Sequence, residues 1–166
     1  MLTLTKIHIQ PGCQFKKCLH EGEYILEHKL ARDFFAPNVC VTAIVGQNGA
    51  GKSSLLDILF RILNNLGYCL YSRDIRNASD PMSYVEGVWA DLHFRMNQYE
   101  GCVYCRGRMV AFQYDDFKCK FIVETSNNQR PLQDEQGFEF FEDYTNPDFE
   151  IQKKVAKKFF YLIATN

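Results

Sequence analysis

The most regular pattern in the chain is an alternation of apolar and polar residues between positions 88 and 97. Successive side chains of a β-strand point to opposite faces, so this pattern predicts a strand with one buried face. The predicted buried face carries Val88, Ala90, Leu92, Phe94 and Met96, and the other face carries Trp89, Asp91, His93, Arg95 and Asn97. Tyr99–Gly101 is then predicted to turn the chain into strands over 102–114 and 117–123. The region 84–124 is therefore predicted to be an antiparallel meander.

The first 36 residues carry weaker alternation and are predicted to be a β-rich lead-in, 1–36. Residues 2–9 alternate in the way of an edge strand, and Pro11-Gly12 predicts a turn. Residues 24–30 alternate again, which predicts a second strand.

A strand, a glycine-rich loop and a helix are predicted in succession over 39–67. The uncharged, β-branched run 39–45 is typical of a strand covered on both faces. Leucines then recur at helical spacing from Leu55 to Leu66, and Gly67 is expected to end that helix.

A second helix is predicted over 147–163, with Pro147 at its first position. Its apolar stripe would consist of Ile151, Val155, Phe159 and Leu162. The polar stretch 125–146 is predicted to be a long or poorly ordered loop. Taken together, the elements predict one domain over 1–166, of α/β class with α+β character.

Candidate chemistry is concentrated in the loop, which fits the phosphate-binding pattern G-x-x-x-x-G-K-[ST] at every fixed position. Its glycines permit positive φ, so successive backbone N–H groups can converge on the phosphates of ATP. The lysine can bridge the β- and γ-phosphates, and the first serine hydroxyl suits an octahedral Mg²⁺ shell. The predicted nucleotide-binding residues are Gly46, Asn48, Gly49, Ala50, Gly51, Lys52, Ser53 and Ser54, with Ser53 also the predicted Mg²⁺ ligand.

Composition and charge exclude few classes of partner, and the start and hydropathy of the chain indicate where in the cell the protein is expected. With 46% hydrophobic residues the chain can bury a sizeable core. A net charge of −1 carries no global signature for nucleic acid or an anionic membrane. The start shows no secretory signal and no stretch is long and apolar enough to span a bilayer, so a cytoplasmic protein without a membrane partner is predicted.

Seven cysteines, an odd number, favour reduced thiols over a disulfide framework. Cys102 and Cys105 together with Cys13 and Cys18 form the one combination that suggests a four-thiolate zinc site. The predicted strand argues against it, because strand residues three apart face opposite sides.

The string from Ile44 to Asp57 resembles the first half of ABC-type ATPases, above all the soluble branch that serves chromosome maintenance, recombination repair and phage defence. Asn48-Gly49 before Ala50-Gly51-Lys52-Ser53 is the specific mark. The resemblance implies a P-loop NTPase core combined with an antiparallel β-subdomain. It also implies that ATP is clamped between two heads of a homodimer or other head-to-head dimer in the full-length protein, with this chain contributing the phosphate-loop side.

The chain departs from that family in two respects. It has no Leu-Ser-Gly-Gly-like signature and no apolar run followed by Asp-Glu, so the carboxylate that would polarise water is missing. No catalytic residue is therefore assigned, and we expect an amino-terminal lobe, an incomplete nucleotide-binding domain that does not hydrolyse ATP alone. The candidates for the family's loop glutamine are Gln98, Gln113, Gln129 and Gln133.

Two other readings of the loop stay open. A complete small P-loop kinase would need arginines over the transferred phosphoryl group, for which Arg73, Arg76, Arg106, Arg108 and Arg130 are the candidates. A non-catalytic interaction module would hold nucleotide without turning it over. A nucleic-acid contact by the lysines of the second helix is possible, although a solvated helix face is the better explanation of them.

Overall fold

A computed structural model describes residues 2–27, 44, 47–71, 83–123 and 149–164. Over these residues the chain is a mixed α/β protein with an open, fully antiparallel six-stranded sheet and two helices. The elements are β1 (Leu2–Ile9), β2 (Gly22–Ile25), α1 (Lys52–Tyr71), β3 (Trp89–Met96), β4 (Tyr99–Arg106), β5 (Met109–Tyr114), β6 (Phe117–Ile122) and α2 (Phe149–Ala164). The strand order is β2-β1-β3-β4-β5-β6. β1 is thus an interior strand, and the prediction of an edge strand there was wrong.

The core lies between the sheet and the two helices. The alternation that predicted β3 is confirmed, because Ala90, Leu92, Phe94 and Met96 are all buried. Phe94 lies 4.1 Å from Phe159 of α2, ring centroid to centroid, and the two rings are fully buried or nearly so. Because aromatic side chains bury large apolar areas, this contact is a main attachment of α2 to the sheet.

The meander contains four strands rather than the three predicted. Two-residue turns separate them, and each turn begins with a residue of positive φ: Asn97 (59°), Gly107 (62°) and Asp115 (51°). The predicted turn at 99–101 is wrong because Gly101 lies inside β4, under the ring of Phe94. A Cβ there would overlap the Phe94 Cζ and lie 2.7 Å from the Gln113 carbonyl oxygen.

Both helices differ in detail from their sequence predictions. Gly67 does not end α1, which continues to Tyr71 because Leu66 and Leu70 are both buried. Their burial outweighs the roughly 1 kcal/mol cost of a glycine inside a helix. On α2, Phe159 is buried as predicted, but Ile151 is 52% exposed and does not belong to the apolar stripe. Neither helix, within the described residues, is long and apolar enough to cross a membrane.

Several other predictions concern residues that lie largely outside the described ranges. The strand 39–45 lies outside the described residues except for Ile44, as do Gly46 and the loop 125–146. β2 ends at Ile25, and positions 28–30 of the second predicted strand are also outside.

Asn65 joins α1 to the segment that leads into β3. Its side chain is fully buried, accepts a hydrogen bond from the Val85 N–H at 2.9 Å, and donates one to the Val85 carbonyl at 2.8 Å. Asn65→Ala leaves both backbone groups without these bonds, and we expect a loss of about 2–4 kcal/mol in the free energy of unfolding. Urea denaturation would measure it. Asn64→Ala is the matched control, because Asn64 is only part-buried and donates to the Ser83 carbonyl at 2.9 Å and, at 3.4 Å, to the Asn65 side chain, but bonds neither backbone group of Val85. Equal losses in the two variants would contradict the assignment.

Candidate phosphate-binding site

The loop before α1 has a glycine turn whose backbone shape is compatible with anion binding. Gly49 and Gly51 have φ of 84° and 86°, a left-handed conformation that favours glycine. The Ala50 N–H donates to the Gln47 carbonyl at 3.1 Å, which closes the turn. The Leu55 N–H then donates to the Gly51 carbonyl at 2.9 Å as the first bond of the helix. The loop therefore turns directly into the amino end of α1.

The amino end of α1 is electrostatically suited to phosphate. The first N–H groups of a helix have no acceptor within it, and they carry the positive end of its dipole. The first turn of α1 contains no acidic residue that would occupy this end. The backbone of Lys52, Ser53 and Ser54 can thus donate to an external anion.

A cavity of about 230 Å³ opens at this point. It is lined by Cys18, Asn48, Gly49, Ala50, Gly51, Lys52, Ser53 and Ser54. The structure therefore brings together every described residue that the motif predicts, and adds one cysteine that it does not.

The polar side chains of Lys52, Ser53 and Ser54 have different environments. The Lys52 Nζ donates to the Gln47 carbonyl at 2.8 Å, so the ammonium group lies back across the loop. The Ser53 side chain is exposed and accessible to a hydrated metal. Ser54 is buried, with its Oγ 3.9 Å from the Cys18 Sγ, so its contribution to an anion would come from its backbone N–H.

Comparison with protein-family models, curated proteins and solved structures finds no match to this chain.

The described candidates for the other parts of a nucleotide site do not line the cavity. Phe15 has the Arg61 guanidinium 3.8 Å from its ring centroid, and the Tyr24 hydroxyl donates to the His20 carbonyl. Phe34 and Phe35, two further aromatic residues upstream of the loop that could stack on a base, lie outside the described residues. Of the candidate loop glutamines, Gln98 and Gln113 are described and neither lines the cavity.

The six described cysteines show no arrangement suited to zinc. Cys102 and Cys105 point to opposite faces of β4, since Cys102 pairs with His93 and Cys105 with Ala90 across the sheet. Burial raises the pKa of both thiols, which opposes the thiolate form that binds zinc. Throughout the described part of the chain, no three His, Cys, Asp or Glu side chains are grouped closely enough to hold a metal ion.

Proposed function

We propose that the chain binds the phosphates of Mg·ATP at residues 46–54 and is the nucleotide-binding lobe of a larger ABC-like ATPase. The observation that carries the proposal is the junction of the glycine turn with the amino end of α1. There, left-handed Gly49 and Gly51, helix N–H groups and the Lys52 ammonium border one cavity. Such a set of donors, without a carboxylate in the first turn, is suited to a polyphosphate.

In the proposed site the chain's own groups have distinct tasks. The N–H groups of the loop would bind the β-phosphate, and Lys52 would exchange its bond with the Gln47 carbonyl for phosphate oxygens. The exposed Ser53 hydroxyl would ligate Mg²⁺, which neutralises phosphate charge when bound. None of the described residues that line the cavity has a carboxylate to orient water, and we therefore assign binding rather than hydrolysis to this lobe.

The surrounding fold favours the ABC-like reading over a complete kinase. An antiparallel β-meander after α1 is what the family resemblance implies, whereas a kinase is expected to have a helical substrate lid there. Of the kinase's candidate arginines, Arg106 bonds Asp91 and Arg108 bonds Glu86, and neither lines the cavity. The other three, Arg73, Arg76 and Arg130, lie outside the described residues. Head-to-head dimerisation, a cytoplasmic location and any nucleic-acid contact remain predictions from the sequence.

Ser53→Ala tests the metal part of the proposal. Mg²⁺ tightens ATP binding by a measurable factor, and removing one metal ligand should make that factor about tenfold smaller. The affinity for metal-free ATP should change little. Isothermal calorimetry with ATP, with and without Mg²⁺, measures both quantities.

The control is Ser83→Ala, whose side chain is exposed and does not line the cavity. An unchanged Mg²⁺ effect in Ser53→Ala would remove the metal ligand from the proposal. ATP turnover by the isolated chain would contradict the assignment of binding alone.

A further inference from the structure

A turn far from the motif in sequence packs against the phosphate loop. Residues 15–19, here called the supporting turn, follow β1 and contact the loop and the first turns of α1 at four successive points. Leu19 packs on Gly51, Cys18 meets Ser54, Lys17 pairs with Asp57, and the Arg61 guanidinium lies over the Phe15 ring.

The contact between Leu19 and Gly51 is the closest of the four. A Cβ on Gly51 would overlap the Leu19 Cδ2 atom and lie 3.1 Å from its Cγ. Leu19 is 6% exposed, so it fills the space that the glycine leaves. Gly51 is also the residue whose φ of 86° turns the loop into the helix. The side chain of Leu19 therefore restrains the backbone at the point where the N–H groups become aligned.

The supporting turn itself has a constrained backbone. The Leu19 N–H donates to the Lys16 carbonyl at 2.7 Å, and Lys17 has φ of 49°. A lysine rarely adopts this conformation, which persists only where the surroundings impose it. The Lys17–Asp57 ion pair is 3.6 Å long and its lysine side chain is 64% exposed, so it contributes little to holding this conformation. The buried contact of Leu19 is the better source of the restraint.

We propose that the supporting turn holds the phosphate loop in its anion-binding shape, with Leu19 as the positioning residue. This inference rests on the proposed function. A preformed loop avoids the cost of ordering its backbone when phosphate binds, so the affinity of the site depends on the packing of Leu19. The lead-in thereby sets the affinity of a site that lies more than 30 residues later in the chain.

Leu19→Ala is the test, measured by calorimetric titration with Mg·ATP and with Mg·pyrophosphate. We expect both ligands to bind at least about tenfold more weakly than to the wild type, because both depend on the same backbone. Leu19→Met, which keeps the packing volume, should restore affinity to within about threefold.

Leu70→Ala is the matched control. Leu70 is 2% exposed and lies in the last turn of α1, about 27 Å along the helix from Lys52. It loses core packing as Leu19→Ala does, but it is remote from the loop. Titrations are made well below the thermal transitions of both variants, so that unfolding does not enter the comparison.

The outcomes separate this inference from the proposed function. Wild-type protein that binds neither ligand overturns the proposed function and, with it, this inference. Wild-type binding with equal affinities for Leu19→Ala and Leu70→Ala overturns the positioning role and leaves the proposed function intact. Selective weakening in Leu19→Ala, with rescue by Leu19→Met, supports both.

Discussion

Lys52→Ala is expected to weaken Mg·ATP binding at least about 100-fold. Among the described residues, Lys52 is the one with a cationic side chain that lines the cavity, and its bond to the Gln47 carbonyl keeps the ammonium group beside the site. Charge-assisted hydrogen bonds to phosphate are among the strongest that proteins make, and a methyl group cannot replace them. Calorimetry or displacement of a fluorescent ATP analogue would measure the change.

Lys154→Ala is the matched control for that experiment. Lys154 is exposed on α2, and its removal changes the net charge equally without touching the cavity. We expect its affinity for Mg·ATP to stay within about twofold of wild type, since exposed charges are screened at physiological salt. Equal affinities in the Lys52 and Lys154 variants would show that nucleotide binds elsewhere.

Asp91→Ala is expected to lower the free energy of unfolding by about 3–5 kcal/mol. Asp91 is 4% exposed and accepts two hydrogen bonds from the Arg106 guanidinium, one of them 3.0 Å long, and one from Gln10 at 2.7 Å. The Arg106 side chain is itself only 11% exposed. Removing the carboxylate takes a negative charge away from a largely buried guanidinium, and breaking one side of such a pair is more costly than the loss of the pair's own attraction.

Chemical denaturation of Asp91→Ala and of Glu86→Ala would check this prediction. Glu86 pairs with Arg108 at 3.2 Å across side chains that are 55% and 36% exposed. Removal of so exposed a partner should cost no more than about 1 kcal/mol. A loss of similar size in both variants would mean that the Asp91–Arg106 pair contributes no more than a surface contact.

Asp91 also shows which structural features an alternating sequence pattern can predict and which it cannot. The pattern predicted that the side chain faces away from the core, and it does lie on the face opposite Phe94. The pattern did not predict its burial, because the partners Gln10 and Arg106 come from β1's end and from β4. Burial on that face depends on neighbours across the sheet, and a strand's own residues contain no information about them.

Gly101 and Gly107 make the same point for turns. The sequence pattern predicted a turn over Tyr99–Gly101 and an uninterrupted strand over 102–114, which includes Gly107. In the structure Gly107 begins a turn, with φ of 62°, while Gly101 lies inside a strand to make room for Phe94. The difference comes from tertiary packing rather than from local preference.

The residues of the candidate site likewise include some that the sequence could predict and some that it could not. The motif is contained within nine consecutive residues, so its glycines, Lys52 and Ser53 were predictable from the sequence. Cys18 and Leu19 were not, because their contacts with Ser54 and Gly51 join segments more than 30 residues apart. The one local signal was the run of turn-forming residues around Pro11-Gly12, which predicts a change of direction but no contact.

Phosphate binding at the loop before α1 is tested most directly by a competition titration of the purified chain with Mg·ATP. Inorganic tripolyphosphate and adenosine serve as separate competitors. Binding at residues 46–54 predicts that tripolyphosphate displaces ATP and that adenosine does not, because the described cavity is built from phosphate-binding groups. Absence of ATP binding, or displacement of ATP by adenosine and not by tripolyphosphate, would contradict phosphate binding at this loop.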